Sequence, residues 1–322
     1  MRLLFITSNR LGDAVLSTSV LRHFVETYPG IRVTIACGPV AAPIFEAVPG
    51  LDRIIEMPKQ KRGGHWWKLW KSVVGTWWDI IIDLRGSAIA YTLPGRKRIV
   101  LNGNDDSIHR VEQLGRLIDV VPPPLPKIWT RPDDNARAQD LLPHDGQAIL
   151  AVGPSANWLG KTWRPECFAE AIARITGPDG VLPDAHILLV GAPAERAASQ
   201  PVIDSISQGR RTVIFGDEHL LTVQACLSRC QLYLGNDSGL MHMAAAAGIP
   251  TVGLFGPSRE EHYGPYTPQG LAVRGDWDYD TIIANRTDHI APVTLMDRLS
   301  VDKVVAAVET MLAGKTSQGI SK

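Results

Sequence analysis

The sequence predicts an α/β protein with two domains, each built around a mostly parallel β-sheet. Short apolar segments, many of them rich in β-branched residues, alternate with segments whose apolar residues recur at helical spacing. The chain has 322 residues, a length that fits two medium-sized domains. A proline-rich segment at residues 121–126 interrupts the alternation. We therefore expect domains at residues 1–147 and 148–322, with a cleft between them.

The first half opens with an apolar strand and an amphipathic helix. Leu3–Thr7 is apolar up to its last residue, and Ala14–Tyr28 repeats apolar side chains on one helical face. The other elements predicted in this half are strands at Arg32–Ala36, Ile54–Met57 and Ile80–Leu84, and helices at Ile108–Ile118 and Asp133–Leu142.

The second half repeats the alternation. Gly248 and Pro250 follow the Ala-rich run Leu240–Ala247, a combination typical of a helix C-terminus. Trp163 and Pro165 are expected to anchor a loop and start the helix after it. The predicted elements of this half are strands at Ala148–Val152, His186–Val190, Thr212–Phe215, Leu232–Leu234 and Thr251–Phe255, and helices at Pro165–Ile175, Thr222–Arg229 and Leu240–Ala247.

Opposite charges balance over the whole chain but not locally. The 33 Lys and Arg residues match 33 Asp and Glu residues, so bulk nucleic-acid binding is not indicated. Residues 1–150 hold 19 basic and 15 acidic residues, and residues 53–98 hold 10 basic and three acidic ones. The basic excess of the first half suits an acidic ligand.

The cysteines and the apolar runs indicate a reduced, cytoplasmic protein. The four cysteines form no metal-ligand pattern, and Cys226 and Cys230 have the spacing of buried thiols on one helix. The chain starts with a strand rather than a signal sequence, and no apolar run approaches 18 residues. We predict a cytoplasmic location and leave peripheral membrane association open.

The turn between Tyr233 and Pro257 is the strongest indication of a ligand site. Asp237 and Ser238 follow a predicted strand and precede a helix, and open α/β sheets bind ligands at the carboxyl ends of their strands. Gly239 allows a ligand to approach the backbone, and free amides at the helix N-terminus favour an anion. An ordinary strand–turn–helix connection is the alternative.

Other polar residues also follow predicted strands of the second half. Lys161, beyond the polar loop with Ser155 and Asn157, would neutralise a phosphate or remain a solvated surface residue. Glu195 would accept hydrogen bonds from a ribose diol or favour the first turn of a helix. His242 would bind or protonate a phosphate, or serve as a hydrogen-bonded structural residue.

Asp13 follows the first predicted strand and is the candidate general base. It comes directly after Gly12, which permits close approach of a ligand to the backbone. Its alternative role is the N-cap of the helix Ala14–Tyr28, a common use of aspartate.

A cluster of tryptophans lies among lysines in the basic part of the first half. Its members are Trp66, Trp67, Trp70, Trp77 and Trp78. Helical spacing would put Trp66, Trp70 and Trp77 on one face. Such a helix either packs on the first sheet or lies at a membrane surface, with tryptophans at headgroup level and basic residues against anionic lipid.

Four separated motifs occur in order from about residue 1 to 310. They are Arg10-Leu11-Gly12-Asp13, Gly153-Pro154-Ser155 with Lys161 and Trp163, Gly191 with Glu195, and Asp237-Ser238-Gly239-Leu240-Met241-His242 followed by Phe255-Gly256-Pro257. Together they resemble the signature of the ADP-heptose:lipopolysaccharide heptosyltransferases, glycosyltransferase family nine.

The resemblance implies a GT-B fold, in which two Rossmann-like domains face across a cleft, and a reaction without a metal or other cofactor. A glycolipid acceptor, the lipopolysaccharide core, would bind the N-terminal domain on the cytosolic face of the inner membrane. Asp13 would deprotonate an acceptor hydroxyl, whose oxygen displaces ADP from the anomeric carbon of the heptose with inversion. Arg10 and Arg85 are the candidate acceptor-binding residues.

The resemblance also implies that ADP-heptose binds the C-terminal domain. Lys161 would offset charge on the leaving diphosphate, Glu195 would bind the ribose, and Asp237 would contact the sugar. The implied donor-binding residues are Ser155, Asn157, Lys161, Glu195, Asp237, Ser238, Gly239 and His242.

The match has departures that keep other functions open. Ala156 and Asn157 stand where close relatives would carry hydroxyl residues, and Arg164 separates Trp163 from Pro165. A hexosyltransferase for envelope glycan would retain the same motifs, and a nucleotide-sugar 2-epimerase would share the fold. A non-catalytic scaffold is a further alternative, against which the retained polar residues argue.

Overall fold

The computed structural model describes residues 1–143, 146–286 and 293–318, with residues 314–318 as backbone only. The chain divides into two compact units, Met1–Arg131 and Pro132–Lys322. Each unit contains one parallel sheet with helical crossovers, so the predicted two-domain α/β class is confirmed.

The described part of the first unit contains one sheet of five parallel strands. The strands are β1 (Arg2–Ile6), β2 (Arg32–Cys37), β3 (Leu51–Glu56), β4 (Trp78–Asp83) and β5 (Gly95–Val100). The helices are α1 (Leu11–Thr27), α2 (Gly64–Val73), α3 (Ile89–Thr92) and α4 (Arg110–Leu117).

The strand order in the first unit is β3-β2-β1-β4-β5. The chain leaves β1 toward β2 and β3 and then returns to the other side of β1 with β4. Neighbouring β1 and β4 therefore form a topological switch point, where the loops after their carboxyl ends lead in opposite directions and leave room for a ligand.

The described part of the second unit contains one sheet of six parallel strands. The strands are β6 (Ile149–Gly153), β7 (His186–Val190), β8 (Arg211–Ile214), β9 (Leu232–Asn236), β10 (Thr251–Phe255) and β11 (Gly270–Arg274). Their order, β11-β10-β9-β6-β7-β8, puts the switch point of this sheet between β6 and β9.

Helices separate and cover the strands of the second unit. They are α5 (Pro132–Leu141), α6 (Pro165–Thr176), α7 (Arg196–Asp204), α8 (Leu220–Leu227), α9 (Gly239–Ala246), α10 (Glu260–Tyr263), α11 (Tyr279–Ala284) and α12 (Val301–Gln318). Helix α5 packs on α8, where Thr222 Oγ1 donates to Asp134 Oδ1 at 3.3 Å. The contacts of α5 thus lie in the second unit, whereas the sequence-based division at residue 147 counted it with the first.

Trp163 joins the loop after β6 to the rest of the second unit. Its side chain is 1% exposed and packs edge-on against Phe168, with ring centroids 5.1 Å apart. Its indole nitrogen donates to the Leu299 carbonyl at 2.9 Å, and its backbone nitrogen donates to Asn236 Oδ1 at 3.0 Å. The expected anchoring role of Trp163 follows from these contacts, and Pro165 begins α6 as predicted.

Several elements differ from the sequence predictions, and strand β11 and helices α7, α11 and α12 were not predicted. Helix α1 begins at Leu11 with Arg10 as its N-cap, so the N-cap alternative for Asp13 is wrong. Strand β5 was missed because its basic residues 96–98 interrupt the apolar pattern at the edge of the sheet. Helix α2 ends at Val73, so Trp77 lies outside it and shares no helical face with Trp66.

In the described part of the chain, every helix is too short or too polar to cross a lipid bilayer.

The packing of Phe168 predicts a large stability loss on truncation. Phe168 is fully buried in the core of the second unit. Phe168→Ala should lower the free energy of unfolding by about 3–5 kcal/mol, because it removes buried apolar surface and leaves a cavity. Urea unfolding followed by circular dichroism measures this change. Val181→Ala, at a side chain that is 37% exposed, is the control and should cost much less; equal losses would contradict the assigned core.

Candidate functional site

A partly buried ion pair joins two loops at the switch point of the second sheet. Lys161 ends a short 3₁₀ turn, Leu159–Lys161, after β6, and Asp237 directly follows β9. Lys161 Nζ lies 2.5 Å from Asp237 Oδ2, with side chains 25% and 7% exposed, respectively. The structure therefore brings together two residues that are 76 positions apart in the sequence.

Helix α9 directs its N-terminus toward the same switch point. Ser238 is the N-cap in an extended conformation, and its side chain makes no capping hydrogen bond. The helix begins at Gly239 and is followed by Gly248 in the left-handed region, with φ +77°, in agreement with the predicted helix. Amides of the first turn have no acceptors within the helix and carry the positive end of its dipole, so they attract an anion.

Glu195 and Ser155 form a second polar contact beside the ion pair's loops. The Ser155 hydroxyl donates to Glu195 Oε2 at 2.8 Å, and the Ala192 backbone nitrogen donates to the same oxygen at 3.1 Å. Glu195 also precedes α7 as its N-cap. These two bonds fix the orientation of the carboxylate through one oxygen and leave Oε1 outside them, suitably arranged to accept from a diol.

The other two predicted donor-binding residues have different surroundings. Asn157 is exposed, and in the described chain its side chain is not hydrogen-bonded to Lys161 or Glu195. His242 lies within α9 at 4% exposure, with its ring centroid 6.5 Å from that of Tyr263. The structure thus brings Lys161, Asp237 and Glu195 to the same loops, whereas Asn157 makes no hydrogen bond to Lys161 or Glu195 in the described chain.

Two residues at this site were not identified from the sequence. Asn236, at the end of β9, accepts the Trp163 backbone N–H and so holds the Lys161 loop against the sheet. Tyr233 is fully buried, and its phenol lies against Gly153 and Gly235. In the sequence, the position of the Tyr233 phenol was indicated only by Gly153 near the end of β6 and Gly235 near the end of β9.

Asp13 lies in the first turn of α1, just after the carboxyl end of β1. The carboxylate is half-buried, and the Ser8 hydroxyl donates to its Oδ2 at 3.4 Å. Exposed Arg10 precedes it as the N-cap, and the Arg10 backbone nitrogen donates to the same Ser8 hydroxyl at 3.0 Å. Asp13 thus lies at the switch point of the first sheet as a partly solvated carboxylate.

Arg85 connects the loop after β4 to the loop after β1. Its guanidinium donates to Asn9 Oδ1 at 3.3 Å and lies 4.5 Å from the centroid of the Trp66 ring. Its backbone nitrogen donates to Asp83 at 2.9 Å, as does that of Ser87. Burial raises the pKa of the Asp83 carboxyl and lowers the pKa of the Arg85 guanidinium. The Arg85 side chain is therefore held in place beside the Asp13 loop.

The tryptophan cluster splits into a packed part and an exposed part. Trp78 is 2% exposed in β4, while Trp66 and Trp70 are half-buried against the core of the first unit. Trp67 and Trp77 are 57% and 61% exposed. The packed interpretation is confirmed for Trp78, Trp66 and Trp70, whereas a membrane contact through the exposed Trp67 and Trp77 stays a prediction.

The expected burial of Cys226 and Cys230 is confirmed, whereas Cys167 is only half-buried. Cys37, Cys226 and Cys230 are buried and unbridged. Burial raises the pKa of Cys226 to about 12, so the thiol stays protonated at neutral pH. Across residues 1–143, 146–286 and 293–318, no three His, Cys, Asp or Glu side chains group as potential metal ligands.

Comparisons with known proteins agree with this geometry. Residues 117–282 match the family described as glycosyltransferase family 9 (heptosyltransferase). Lipooligosaccharide heptosyltransferase 2 of Haemophilus ducreyi is 24% identical over 318 residues, covering 85% of this chain and 88% of that protein.

Solved structures extend the likeness over both units. A family 9 glycosyl transferase from Veillonella parvula has a TM-score of 0.78 at 20% identity, covering 97% of each chain. The E. coli ADP-heptose lps heptosyltransferase II has a TM-score of 0.75 at 18% identity, covering 98% of this chain and 100% of that one. The predicted GT-B fold class is thereby confirmed. By the family match, which spans more than half of its length, the chain belongs to glycosyltransferase family 9, the heptosyltransferase family.

Proposed function

We propose that this protein transfers a heptose from ADP-heptose to a lipopolysaccharide core acceptor. One observation carries the proposal: Lys161 and the N-terminus of α9 converge at the β6/β9 switch point. Together they form an anion-binding arrangement suited to a nucleoside diphosphate. Family membership and the heptosyltransferase relatives support heptose as the transferred sugar.

The donor is held by the second unit in this proposal. Amides at Ser238 and Gly239, with the Lys161 ammonium, bind the diphosphate and stabilise the negative charge that develops as the sugar–phosphate bond breaks. Glu195 binds the ribose through its carboxylate, and Asp237 contacts the sugar. Ser155 orients Glu195, which the 2.8 Å hydrogen bond between them supports.

The acceptor is held by the first unit, and Asp13 is the general base. Its carboxylate takes the proton from an acceptor hydroxyl as that oxygen attacks the anomeric carbon. The new glycosidic bond forms on the face opposite the departing ADP, so the anomeric configuration inverts. Arg10 and Arg85 bind anionic groups of the acceptor, a role that the basic excess of residues 53–98 supports.

The reaction proceeds without a metal in this proposal. A lysine and a helix N-terminus supply the positive charge that a divalent cation provides to diphosphate leaving groups elsewhere. A purified enzyme treated with a chelator should therefore retain its transfer rate.

The alternative functions receive less support. A hexosyltransferase would use the same residues with another nucleotide sugar, and a 2-epimerase would need no glycolipid acceptor. The family match favours glycosyl transfer over epimerisation, and the formed Lys161–Asp237 pair argues against a non-catalytic scaffold.

Calorimetric titration of the protein with ADP, UDP, GDP and CDP tests the donor assignment. We expect ADP to bind most tightly, because the proposed donor is ADP-heptose. Preference for UDP or GDP would leave the chemistry intact but contradict heptose as the sugar. Failure of all four to bind would contradict the proposed site in the second unit.

Asp13→Asn should separate catalysis from nucleotide binding. The transfer rate should fall roughly 10²–10⁴-fold, because the amide accepts no proton from the acceptor hydroxyl. ADP affinity should stay unchanged, because Asp13 lies in the first unit. Steady-state transfer assays and calorimetry measure the two effects. Glu26→Gln, on the same helix, is the control and should behave like wild type; near-normal turnover of Asp13→Asn would rule out the base assignment.

We also propose that the first unit contacts the anionic inner membrane from the cytosolic side. The contact surface comprises the exposed residues Trp67, Lys68, Lys71 and Trp77. Lys71 Nζ lies 5.2 Å from the Trp67 ring centroid, so aromatic and cationic groups are adjacent there. Tryptophans favour the headgroup region, and each basic residue near an anionic surface contributes about 1 kcal/mol.

Replacing both exposed tryptophans should weaken membrane binding. Trp67→Ser with Trp77→Ser should reduce co-sedimentation with phosphatidylglycerol vesicles several-fold, because both exposed aromatic side chains are removed. Thermal unfolding of the variant measures the separate cost of losing the stack of Trp67 on Trp70. Tyr28→Ser, at another exposed aromatic side chain, is the control. Unchanged vesicle binding by the double variant would contradict the proposed surface.

A further inference from the structure

The end of β9 carries buried polar atoms that the described chain does not satisfy. Among the described residues, the Tyr233 hydroxyl, the Asn236 side-chain nitrogen and the Ser238 hydroxyl are buried without hydrogen-bond partners. Buried polar groups in folded proteins are nearly always hydrogen-bonded, and each exception calls for an explanation. Three such atoms within six residues, all beside the β6/β9 switch point, suggest that their partners form in another state of the protein.

Two glycines allow the Tyr233 phenol to reach this position. Gly153 and Gly235 are register partners on the neighbouring strands β6 and β9. A Cβ atom would lie 2.1 Å from the Tyr233 hydroxyl at Gly153 and 2.5 Å from it at Gly235. Because both positions lack side chains, the phenol extends along the sheet to the carboxyl ends of the two central strands.

The Tyr233 hydroxyl is a hydrogen-bond donor at this position. Burial raises the pKa of Tyr233, and the nearby carboxylates of Glu195 and Asp237 raise it further, so the phenol stays protonated. The Ser238 side chain lowers this pKa as a hydrogen-bonding neighbour and so lies within reach of the phenol, although the distance and angles of a hydrogen bond between the two hydroxyls are not met. A small movement of the Ser238 turn would bring them into contact.

We propose that Tyr233 is a positioning residue for the nucleotide: its hydroxyl donates to Ser238 Oγ when a nucleoside diphosphate engages the N-terminus of α9. The Ser238 hydroxyl then donates to a phosphate oxygen, and each bond polarises and strengthens the other. Tyr233 lies within β9 whereas Ser238 is the N-cap of α9, so the phenol acts through Ser238, whose buried hydroxyl reaches the phosphate when its turn moves. The inference rests on the proposed donor site in the second unit.

Tyr233→Phe tests the inference, because it removes the hydroxyl and keeps the ring that fills the core. The melting temperature of the nucleotide-free protein should not fall, since no hydrogen bond is lost in that state. The dissociation constant for ADP should rise roughly fivefold to tenfold, as expected for one lost hydrogen bond. Calorimetry and thermal unfolding with and without ADP measure both quantities, and Tyr28→Phe is the matched control.

A double-mutant cycle identifies the partner of Tyr233. Ser238→Ala should weaken ADP binding by itself, and adding Tyr233→Phe to it should have little further effect, because the two hydroxyls act in one chain. Fully additive losses would overturn the proposed link between them.

The outcomes separate this inference from the proposed function. Wild-type protein that binds no nucleotide would contradict the donor site itself. Wild-type binding of ADP together with unchanged ADP affinity in Tyr233→Phe would overturn only the role of Tyr233. A lower melting temperature with unchanged ADP affinity would likewise overturn it, because the hydroxyl would then be purely structural.

Discussion

The hydrogen bond from the Trp163 backbone to the Asn236 side chain determines the geometry of the second unit's site. It ties the loop after β6 to the end of β9 at 3.0 Å, across the switch point of the sheet. The buried Trp163 indole holds the same loop through its hydrogen bond to the Leu299 carbonyl. Since Lys161 precedes Trp163 by two residues, this attachment restricts the position of the lysine and places its ammonium group beside Asp237. An apolar anchor thus positions a charged group.

In the first unit, the loops at the switch point are connected by less rigid contacts. Its loops after β1 and β4 are linked through the Arg85 guanidinium, which lies between Asn9 and the Trp66 ring. Stacking and charge-assisted hydrogen bonds tolerate small displacements better than a buried tryptophan does. Such a surface suits the large acceptor proposed for the first unit, while the tightly anchored second unit suits the nucleotide proposed for it.

The sequence predicted the features that repeat and missed those that depend on contacts between distant residues. Apolar alternation identified nearly every strand of the two sheets, and the glycine-containing turn at residues 237–239 identified the start of α9. The basic residues of edge strand β5 concealed it, because an edge strand has less need of apolar residues. The surroundings of Tyr233 were inaccessible, because they arise from a register match between Gly153 and Gly235, which are 82 positions apart in the sequence. Which tryptophans are exposed depended on where α2 ends, a boundary that spacing alone defines poorly.

The ion pair between Lys161 and Asp237 means that the site contains its own counter-ion. An incoming anion gains the lysine only by competing with a carboxylate 2.5 Å away, so a lone phosphate ion exchanges one partner for another with little net benefit. A ligand with two linked phosphates can also bind the amides at the N-terminus of α9. A sugar hydroxyl of the same ligand can donate a hydrogen bond to the Asp237 carboxylate once Lys161 has turned to the phosphates. The ion pair would thus disfavour binding of small anions such as phosphate. It would favour a larger ligand that contacts both Lys161 and Asp237.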